Sequence, residues 1–145
     1  MKNIISVPLL SVLVSFSSLS AFAKTSQESI TFSKGTDQKT QTGSFKGYDD
    51  IQYKIYAKKG QVLKFKINSN KNLANINFFS PNSKPGRDEA IFIGSTGGQV
   101  GELILPLSGE YTIQVYQMRN SARQNQKVNF QLNIQIQNEL KHAAR

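Results

Sequence analysis

The residues best suited to chemistry in this chain lie in a basic segment that follows a strand pattern. From Gln117 to Lys127 the sequence has no acidic residue and three cations, Arg119, Arg123 and Lys127. Guanidinium groups make bidentate, charge-assisted hydrogen bonds with carboxylates. Hairpin connections usually take about two to five residues, and much longer ones are often functional. The segment therefore predicts a basic loop that enters a negatively charged cavity.

The other titratable residues do not form a catalytic or metal-binding pattern. The chain has one histidine, His142, no cysteine, and two adjacent acid pairs, Asp49-Asp50 and Asp88-Glu89. Because the single histidine lies in the polar C-terminal tail, the sequence predicts no Ser-His-Asp triad and no histidine metal site, and the absence of cysteine excludes thiolate chemistry. Calcium ligation by Asp49 and Asp50 stays open as an alternative, although no further oxygen ligands follow at regular spacing. We predict a binding protein, not an enzyme, with no catalytic residue, cofactor or metal.

The N-terminus has the pattern of an export signal. Lys2 precedes a mostly apolar run from Ile4 to Phe16, and Ala21-Phe22-Ala23 is a small-x-small cleavage motif. The run is too short for a membrane-spanning helix. We predict a secretory signal peptide over residues 1–23, cleavage after Ala23 and a periplasmic protein. Because the chain has no cysteine, packing alone must stabilise the exported domain.

The net charge has two interpretations. The formal value of +9 either serves solubility or indicates an anionic partner such as lipid headgroups, nucleic acid or an acidic cleft. Lys54, Lys64 and Lys66 fall at alternate positions of strand-like segments, which spreads the charge over solvent-facing positions. That distribution disfavours a single stripe for a polyanion, and export makes nucleic acid an unsuitable target. We predict no nucleic-acid partner.

Short alternating segments separated by turns run through residues 24–137. Tyr111 to Tyr116 and Phe130 to Ile136 both alternate apolar and polar residues, as half-buried strands do. Ile51 to Ala57 and Leu63 to Ile67 flank the turn Lys58–Gln61 and predict an antiparallel hairpin. About eight such strands predict one all-β domain, a single antiparallel β-sandwich or jelly roll. Residues 138–145 are polar and predict a flexible tail.

Several motifs occur together in the order typical of one protein family. They are Gly47-Tyr48-Asp49, Tyr56-Ala57-Lys58-Lys59-Gly60-Gln61, Leu105-Pro106, Ser108-Gly109-x-Tyr111, Gln117-x-Arg119-Asn120-x-Ala122-Arg123 and Ile134-Gln135-Ile136. With them the sequence resembles the periplasmic inhibitors of goose-type (g-type) lysozyme, the PliG family. The similarity covers nearly all of the chain after the signal peptide, and it is weakest over residues 71–101. The Gln-x-Arg-Asn-x-Ala-Arg motif is the most discriminating part.

The resemblance implies a function and a set of contact residues. It implies a secreted β-sandwich that inhibits g-type lysozyme by inserting loops into the substrate cleft, so that peptidoglycan is not hydrolysed. The matching positions are Tyr48 in the first turn and Arg119 and Arg123 in the long loop. Asn120 and Asp49 are implied as supporting contacts. The resemblance does not define an oligomeric state.

Alternatives remain for each of these residues. Arg119 and Arg123 are also compatible with capping strand ends or with pairing to Asp49-Asp50, and Tyr48 with packing over the sandwich edge. An alternative function is a periplasmic accessory module that binds peptidoglycan or another envelope polymer through its positive surface. The inhibitor hypothesis requires the Tyr48 turn and the basic loop to lie at the same end of the sandwich.

Overall fold

The computed structural model describes residues 22–139 as a two-layered β-structure. The predicted signal peptide up to residue 21 and the tail from residue 140, including His142, lie outside that range. The strands are β1 (Thr25–Ser29), β2 (Gln38–Lys46), β3 (Asp50–Ala57), β4 (Val62–Ser69), β5 (Ala74–Phe79), β6 (Phe92–Ile93), β7 (Val100–Ile104), β8 (Gly109–Gln117) and β9 (Lys127–Gln137). The helical elements are a 3-10 turn (Asn70–Asn72), α1 (Gly94–Gly97) and α2 (Arg119–Arg123). None of the helices in residues 22–139 is long and apolar enough to cross a membrane.

The strands form two sheets that pack face to face. One sheet has the order β1-β3-β8-β5-β6 and the other the order β2-β9-β4-β7. Every pairing is antiparallel except that of β1 with β3, which is parallel. The predicted all-β sandwich is therefore confirmed, and the parallel first strand is an addition to it.

Alternation along each strand builds the core between the sheets. In β8, Tyr111, Ile113 and Val115 are fully buried, as the period of two predicts. The facing sheet contributes side chains that are also fully or almost fully buried, among them Leu63, Phe65, Ile67, Val128, Leu132 and Ile134. Phe65 packs against Phe78 with the ring centroids 4.9 Å apart, which joins the two layers directly.

The predicted hairpin of β3 with β4 is wrong. β3 lies between β1 and β8 in one sheet, whereas β4 lies between β9 and β7 in the other. Lys58–Gln61 therefore carries the chain from one sheet to the other, and Gly60 N donates to the Leu105 carbonyl at 2.8 Å. Alternation identifies which face of a strand is buried. β3 and β4 would each have one buried face whether they paired in one sheet or faced each other across the core. The pattern therefore does not identify the strand with which each of them pairs.

A tyrosine fixes the turn that precedes β8. The Tyr111 hydroxyl donates to the Leu107 carbonyl at 2.6 Å and accepts from the Leu107 amide at 3.0 Å. Burial raises the pKa of the Tyr111 hydroxyl, and the hydrogen bond to the Leu107 backbone opposes that shift. This is the backbone-bonded tyrosine found at corners of β-sandwiches. It anchors the start of the strand whose other end leads into the basic segment.

Candidate functional site

The Tyr48 turn and the basic segment lie side by side at one end of the sandwich. The turn joins β2 to β3, and residues 118–126 join β8 to β9, so both connections cross from one sheet to the other. The last residues of β2 and the first of β9 are paired, with Lys46 opposite Lys127. Gly47 N donates to the Gln126 carbonyl at 3.1 Å and joins the two connections directly.

Gln117 is the buried link between these two connections. Its side-chain Nε2 donates to the Gly47 carbonyl at 3.0 Å and to the Gln126 carbonyl at 2.8 Å. The residue is only 5% exposed, although it is polar and ends a strand. Two bonds from one amide group therefore fix the Tyr48 turn against the segment that carries both arginines. In the sequence Gln117 is only the first residue of a motif, and this structural role was not predicted.

A glycine lies at the contact between the two connections. Gly47 has a φ of 61°, a backbone conformation that glycine adopts without strain. A Cβ atom at this position would lie 2.8 Å from Asn125 Oδ1. Glycine at position 47 thus suits the backbone conformation of the turn, and a larger residue there would require the exposed Asn125 side chain to move.

The basic segment is a short helix, α2, rather than an irregular loop. Ala122 is the buried residue of this helix, and its amide donates to the Met118 carbonyl at 2.9 Å. Arg119 and Arg123 are four residues apart and both are exposed, so they project from neighbouring positions on one helical turn. Lys127 lies outside this helix, because it is the first residue of β9.

Within residues 22–139 neither arginine side chain has a protein partner. Arg87 pairs with Asp88 at 3.4 Å, whereas no ion pair or side-chain hydrogen bond of Arg119 or Arg123 is formed in that range. The alternative in which these arginines pair with Asp49-Asp50 is therefore not seen. Two charged groups on a rigid turn, without partners in the described part of the chain, are available for an anionic group of another molecule.

Asp49 and Asp50 have other partners on the outer side of the sheet. Asp49 Oδ1 accepts a hydrogen bond from the backbone nitrogen of Lys24 at 2.8 Å. Asp50 is buried, and it accepts from Thr25 Oγ1 at 2.5 Å and from Gln114 Nε2 at 2.8 Å. Across the described range no group of three or more His, Cys, Asp or Glu side chains is placed to hold a metal ion. Both carboxylates thus belong to the local hydrogen-bond network of the turn.

Two exposed side chains complete this end of the sandwich. Tyr48 is 54% exposed, which leaves much of its ring accessible. Met118, immediately before α2, is 44% exposed and was not among the predicted site residues. In the sequence, Met118 is the only large apolar residue between Gln117 and Lys127. Asn120 is exposed, and its Oδ1 accepts from the Ser121 amide at 2.8 Å, so its oxygen is used within the helix.

The end of the sandwich that carries Tyr48 and α2 has a like-charge pair that should lower the stability of the fold. Lys46 and Lys127 are directly opposite each other on an antiparallel pair, and both are exposed. Like charges in such positions destabilise the pairing. With Arg119 and Arg123 they place four cations around the two connections. A pocket of about 340 Å³ lies beside the Tyr48 turn and is lined by residues that include Tyr48, Asp49, Tyr116 and Gln117, but by none of these four cations.

No family model matches the chain, but individual proteins and crystal structures do. The inhibitor of g-type lysozyme from Escherichia coli strain K12 is 35% identical over 133 residues, which cover 90% of this chain and 92% of that protein. The crystal structure of Aeromonas hydrophila PliG, a periplasmic inhibitor of g-type lysozyme, has 41% identity and a TM-score of 0.76, covering 80% of this chain and 100% of its own.

A mutant of the Escherichia coli PliG protein is similar at 32% identity and a TM-score of 0.62, over 79% of this chain and 100% of its own. Salmonella Typhimurium PliG has 31% identity and a TM-score of 0.61, over 77% and 98% respectively. The relatives are thus similar in sequence and fold over nearly their whole length. The chain belongs to the family of periplasmic inhibitors of g-type lysozyme.

Proposed function

We propose that this protein inhibits g-type lysozyme by placing the end of the sandwich that carries Tyr48, Arg119 and Arg123 into the substrate cleft. Its relatives are inhibitor proteins of that enzyme class, not enzymes. The observation that supports the mechanism most strongly is the link through Gln117, which holds the turn next to the arginine-bearing helix. Residues that are distant in sequence then form one rigid surface.

The chemistry of the target suits these side chains. A glycoside hydrolase cleft contains a carboxylic acid that protonates the leaving group. An arginine inserted there makes a bidentate, charge-assisted pair with the ionised form of such a group. Burying this pair also removes both charges from water, so a single contact is not sufficient. Arg119 and Arg123 together supply two such anchors, each with a truncation cost of about 2–4 kcal/mol if it is a hot spot.

Tyr48 adds a different type of contact. Its ring is large, rigid and 54% exposed, and it has a hydroxyl at one end. A cleft that binds sugar chains offers apolar faces and hydrogen-bonding groups, both of which a tyrosine can use. Met118 lies next to Arg119 and presents further apolar surface. We propose Asn120 as a supporting contact, through the amide nitrogen that the helix does not use.

Net charge is not expected to bring the two proteins together. The chain has a formal charge of +9, and a basic lysozyme would be repelled by it at long range. Local complementarity between the cationic end and the acidic cleft then provides specificity. Added salt should therefore weaken the bound complex less than it weakens the binding of the protein to a polyanion.

The family relation also indicates where in the cell the protein acts. The homologous crystal structures are those of periplasmic inhibitors. We propose that residues 1–23 direct export and are removed after Ala23, which gives a mature domain that starts at Lys24. N-terminal sequencing of the protein from a periplasmic fraction tests this boundary.

A lysis assay with three lysozyme classes tests the function. The purified mature protein is titrated against g-type, chicken-type and invertebrate-type enzymes on a cell-wall substrate. We expect loss of g-type activity near an equimolar ratio and little effect on the other two. No inhibition of the g-type enzyme at micromolar protein would overturn the proposal. Salt-sensitive binding to peptidoglycan without inhibition would instead support the accessory-module alternative.

A further inference from the structure

The first residues of the domain contact the turn that carries Tyr48. The backbone nitrogen of Lys24 lies 2.8 Å from Asp49 Oδ1. The carbonyl of the same residue accepts a hydrogen bond from the Asp50 amide at 3.1 Å. Lys24 is thus bonded through both its nitrogen and its oxygen to the residues that directly follow Tyr48.

The position of Lys24 is fixed independently of Asp49. Strand β1 begins at Thr25 and pairs with β3 in the register Thr25 to Asp50. Thr25 Oγ1 also donates to Asp50 Oδ1 at 2.5 Å. The pairing of β1 with β3 therefore places the backbone nitrogen of residue 24 next to the turn, whatever side chain is present at position 49.

The chain leaves the protein surface immediately before this contact. Phe22 is 91% exposed and Ala23 is also exposed. The proposed cleavage site is the bond between Ala23 and Lys24, so cleavage would leave Lys24 as the N-terminal residue. Hydrolysis of that bond adds water across it, and the carboxyl group leaves with Ala23 while Lys24 keeps the amine. The backbone amide that faces Asp49 then becomes a protonated α-amino group.

We propose that removal of the signal peptide completes the inhibitory surface, because the new α-ammonium group of Lys24 pairs with the Asp49 carboxylate and holds the Tyr48 turn. The pair replaces a neutral donor by a charged one, which makes a stronger hydrogen bond to a carboxylate. Asp49 is then a positioning residue that acts through the N-terminus, not a contact with the enzyme. This inference rests on the proposed function and on cleavage after Ala23.

A double-mutant cycle isolates the effect of the charge on the Lys24 α-ammonium group. One protein is prepared with Lys24 as its first residue, by cleavage of a fusion that leaves no extra residue. The other has Gly-Ser in front of Lys24, which keeps the N–H donor at position 24 but moves the charge away. Each is made with Asp49 and with Asp49→Asn, which keeps an oxygen acceptor without its charge. The cycle compares all four proteins for inhibition of g-type lysozyme and for thermal unfolding.

We expect the extension to weaken inhibition by about two- to fivefold in the Asp49 protein, the range of a partly exposed ion pair. In the Asp49→Asn protein the extension should have no effect. Additive effects would overturn the proposal and assign Asp49 to direct contact with the enzyme. A mature N-terminus other than Lys24 would overturn it as well.

A second measurement separates this inference from the proposed function. The backbone amide signal of Tyr48 in the NMR spectrum of the free protein reports on the turn without any lysozyme. We expect the extension to shift that signal in the Asp49 protein and not in the Asp49→Asn protein. If no variant inhibits the enzyme but this pattern is present, the proposed function fails and the N-terminal pair stands. An unchanged Tyr48 signal in all four proteins would contradict the pair itself.

Discussion

The side chain of Gln117 donates a hydrogen bond to the Gly47 carbonyl at 3.0 Å, across 70 residues of sequence. The same Nε2 also donates to the Gln126 carbonyl, so one buried amide joins the end of β8 to the turn between β2 and β3. Tyr48 follows Gly47, and Arg119 lies two residues after Gln117. The side chains of Tyr48, Arg119 and Arg123, which are proposed to contact lysozyme, therefore share one support.

Replacing Gln117 by leucine should loosen the link between the two connections, which then rests on the Gly47 amide and the Lys46–Lys127 pairing. The Gly47 carbonyl would be left without a donor, which costs about 1–3 kcal/mol, whereas the Gln126 carbonyl keeps its hydrogen bond from the Gly47 amide. We expect Gln117→Leu to lower the free energy of unfolding by that amount and to weaken inhibition at least about tenfold. Urea unfolding and inhibition titrations measure both effects. Gln131→Leu, at an exposed position of β9, is the control. Unchanged inhibition in a destabilised Gln117→Leu protein would contradict the role of the link.

Gly47→Ala tests the contact between the turn and the basic segment. The new Cβ would lie 2.8 Å from Asn125 Oδ1 at a φ of 61°. Gly35→Ala is a matched control, because Gly35 also has a positive φ of 81°, but a Cβ added there would have no atom within 4 Å. Both variants should lose about 1 kcal/mol of stability from the backbone conformation. Only Gly47→Ala should also weaken inhibition, as measured by titration, and equal effects on inhibition would argue against this contact.

The two arginines should affect binding without affecting stability. Both are exposed and their side chains have no protein partner in the described part of the chain, so truncation removes little from the folded state. We expect Arg119→Ala and Arg123→Ala each to weaken inhibition at least about tenfold, with unfolding free energies within about 0.5 kcal/mol of the parent. Arg87→Ala, an exposed arginine in another loop, should leave inhibition unchanged. A large loss of stability in the arginine variants would favour a capping role.

Lys127→Gln should separate stability from function. It removes the like-charge pair with Lys46, which should raise the free energy of unfolding by about 0.2–1 kcal/mol. The same change lowers the positive charge beside α2 and should weaken inhibition about two- to fivefold. Lys66→Gln is the control, because Lys66 is exposed on β4 and lies opposite Asn133 and Val100. A Lys127→Gln protein that gains stability and inhibits as well as the parent would exclude this lysine from the binding surface.

The buried Tyr53 hydroxyl should make the free energy of unfolding decrease at alkaline pH. Burial, and next the carboxylate of Glu28, raise the pKa of its hydroxyl to about 12. An unfolded tyrosine has a pKa of about 10, so folding favours the protonated form. This contribution is fully present below about pH 10 and is lost as the pH rises through 12. Tyr53→Phe should therefore lose less stability than the parent between pH 9 and about 12, as measured by urea unfolding.

Tyr53→Phe also tests the role of the hydroxyl in stability at neutral pH. The hydroxyl is buried without a hydrogen-bond partner within residues 22–139. Removing it should leave the unfolding free energy unchanged or raise it by about 1 kcal/mol. Tyr56→Phe, at an exposed position of the same strand, should change neither value. A destabilised Tyr53→Phe protein at pH 7 would show that the hydroxyl has a partner in solution.

The fold was largely predictable from local patterns. Alternation in Tyr111–Tyr116 correctly gave a strand with one buried face, and the glycine-containing turns separated the strands. Strand pairing was harder to predict. β3 and β4 have the same alternation of apolar and polar residues whether they pair with each other or face each other across the core. Sequence neighbours were therefore assigned to one sheet when they belong to two.

The site was predictable in its exposed residues and not in its buried ones. Arg119 and Arg123 stand out because an acid-free basic segment follows a strand. Gln117 does not, since a glutamine at a strand end usually faces solvent, and its burial depends on two carbonyls that only the fold brings together. The bond of Lys24 to Asp49 depends in the same way on the parallel register of β1 and β3.

The crystal structure of this protein in complex with a g-type lysozyme tests the central claim most directly. We expect the end of the sandwich that carries Tyr48 to fill the substrate cleft, with Arg119 or Arg123 within hydrogen-bonding distance of a carboxylate in that cleft. A complex in which the cleft is open, or is filled by another face of the sandwich, would contradict the proposed mode of inhibition.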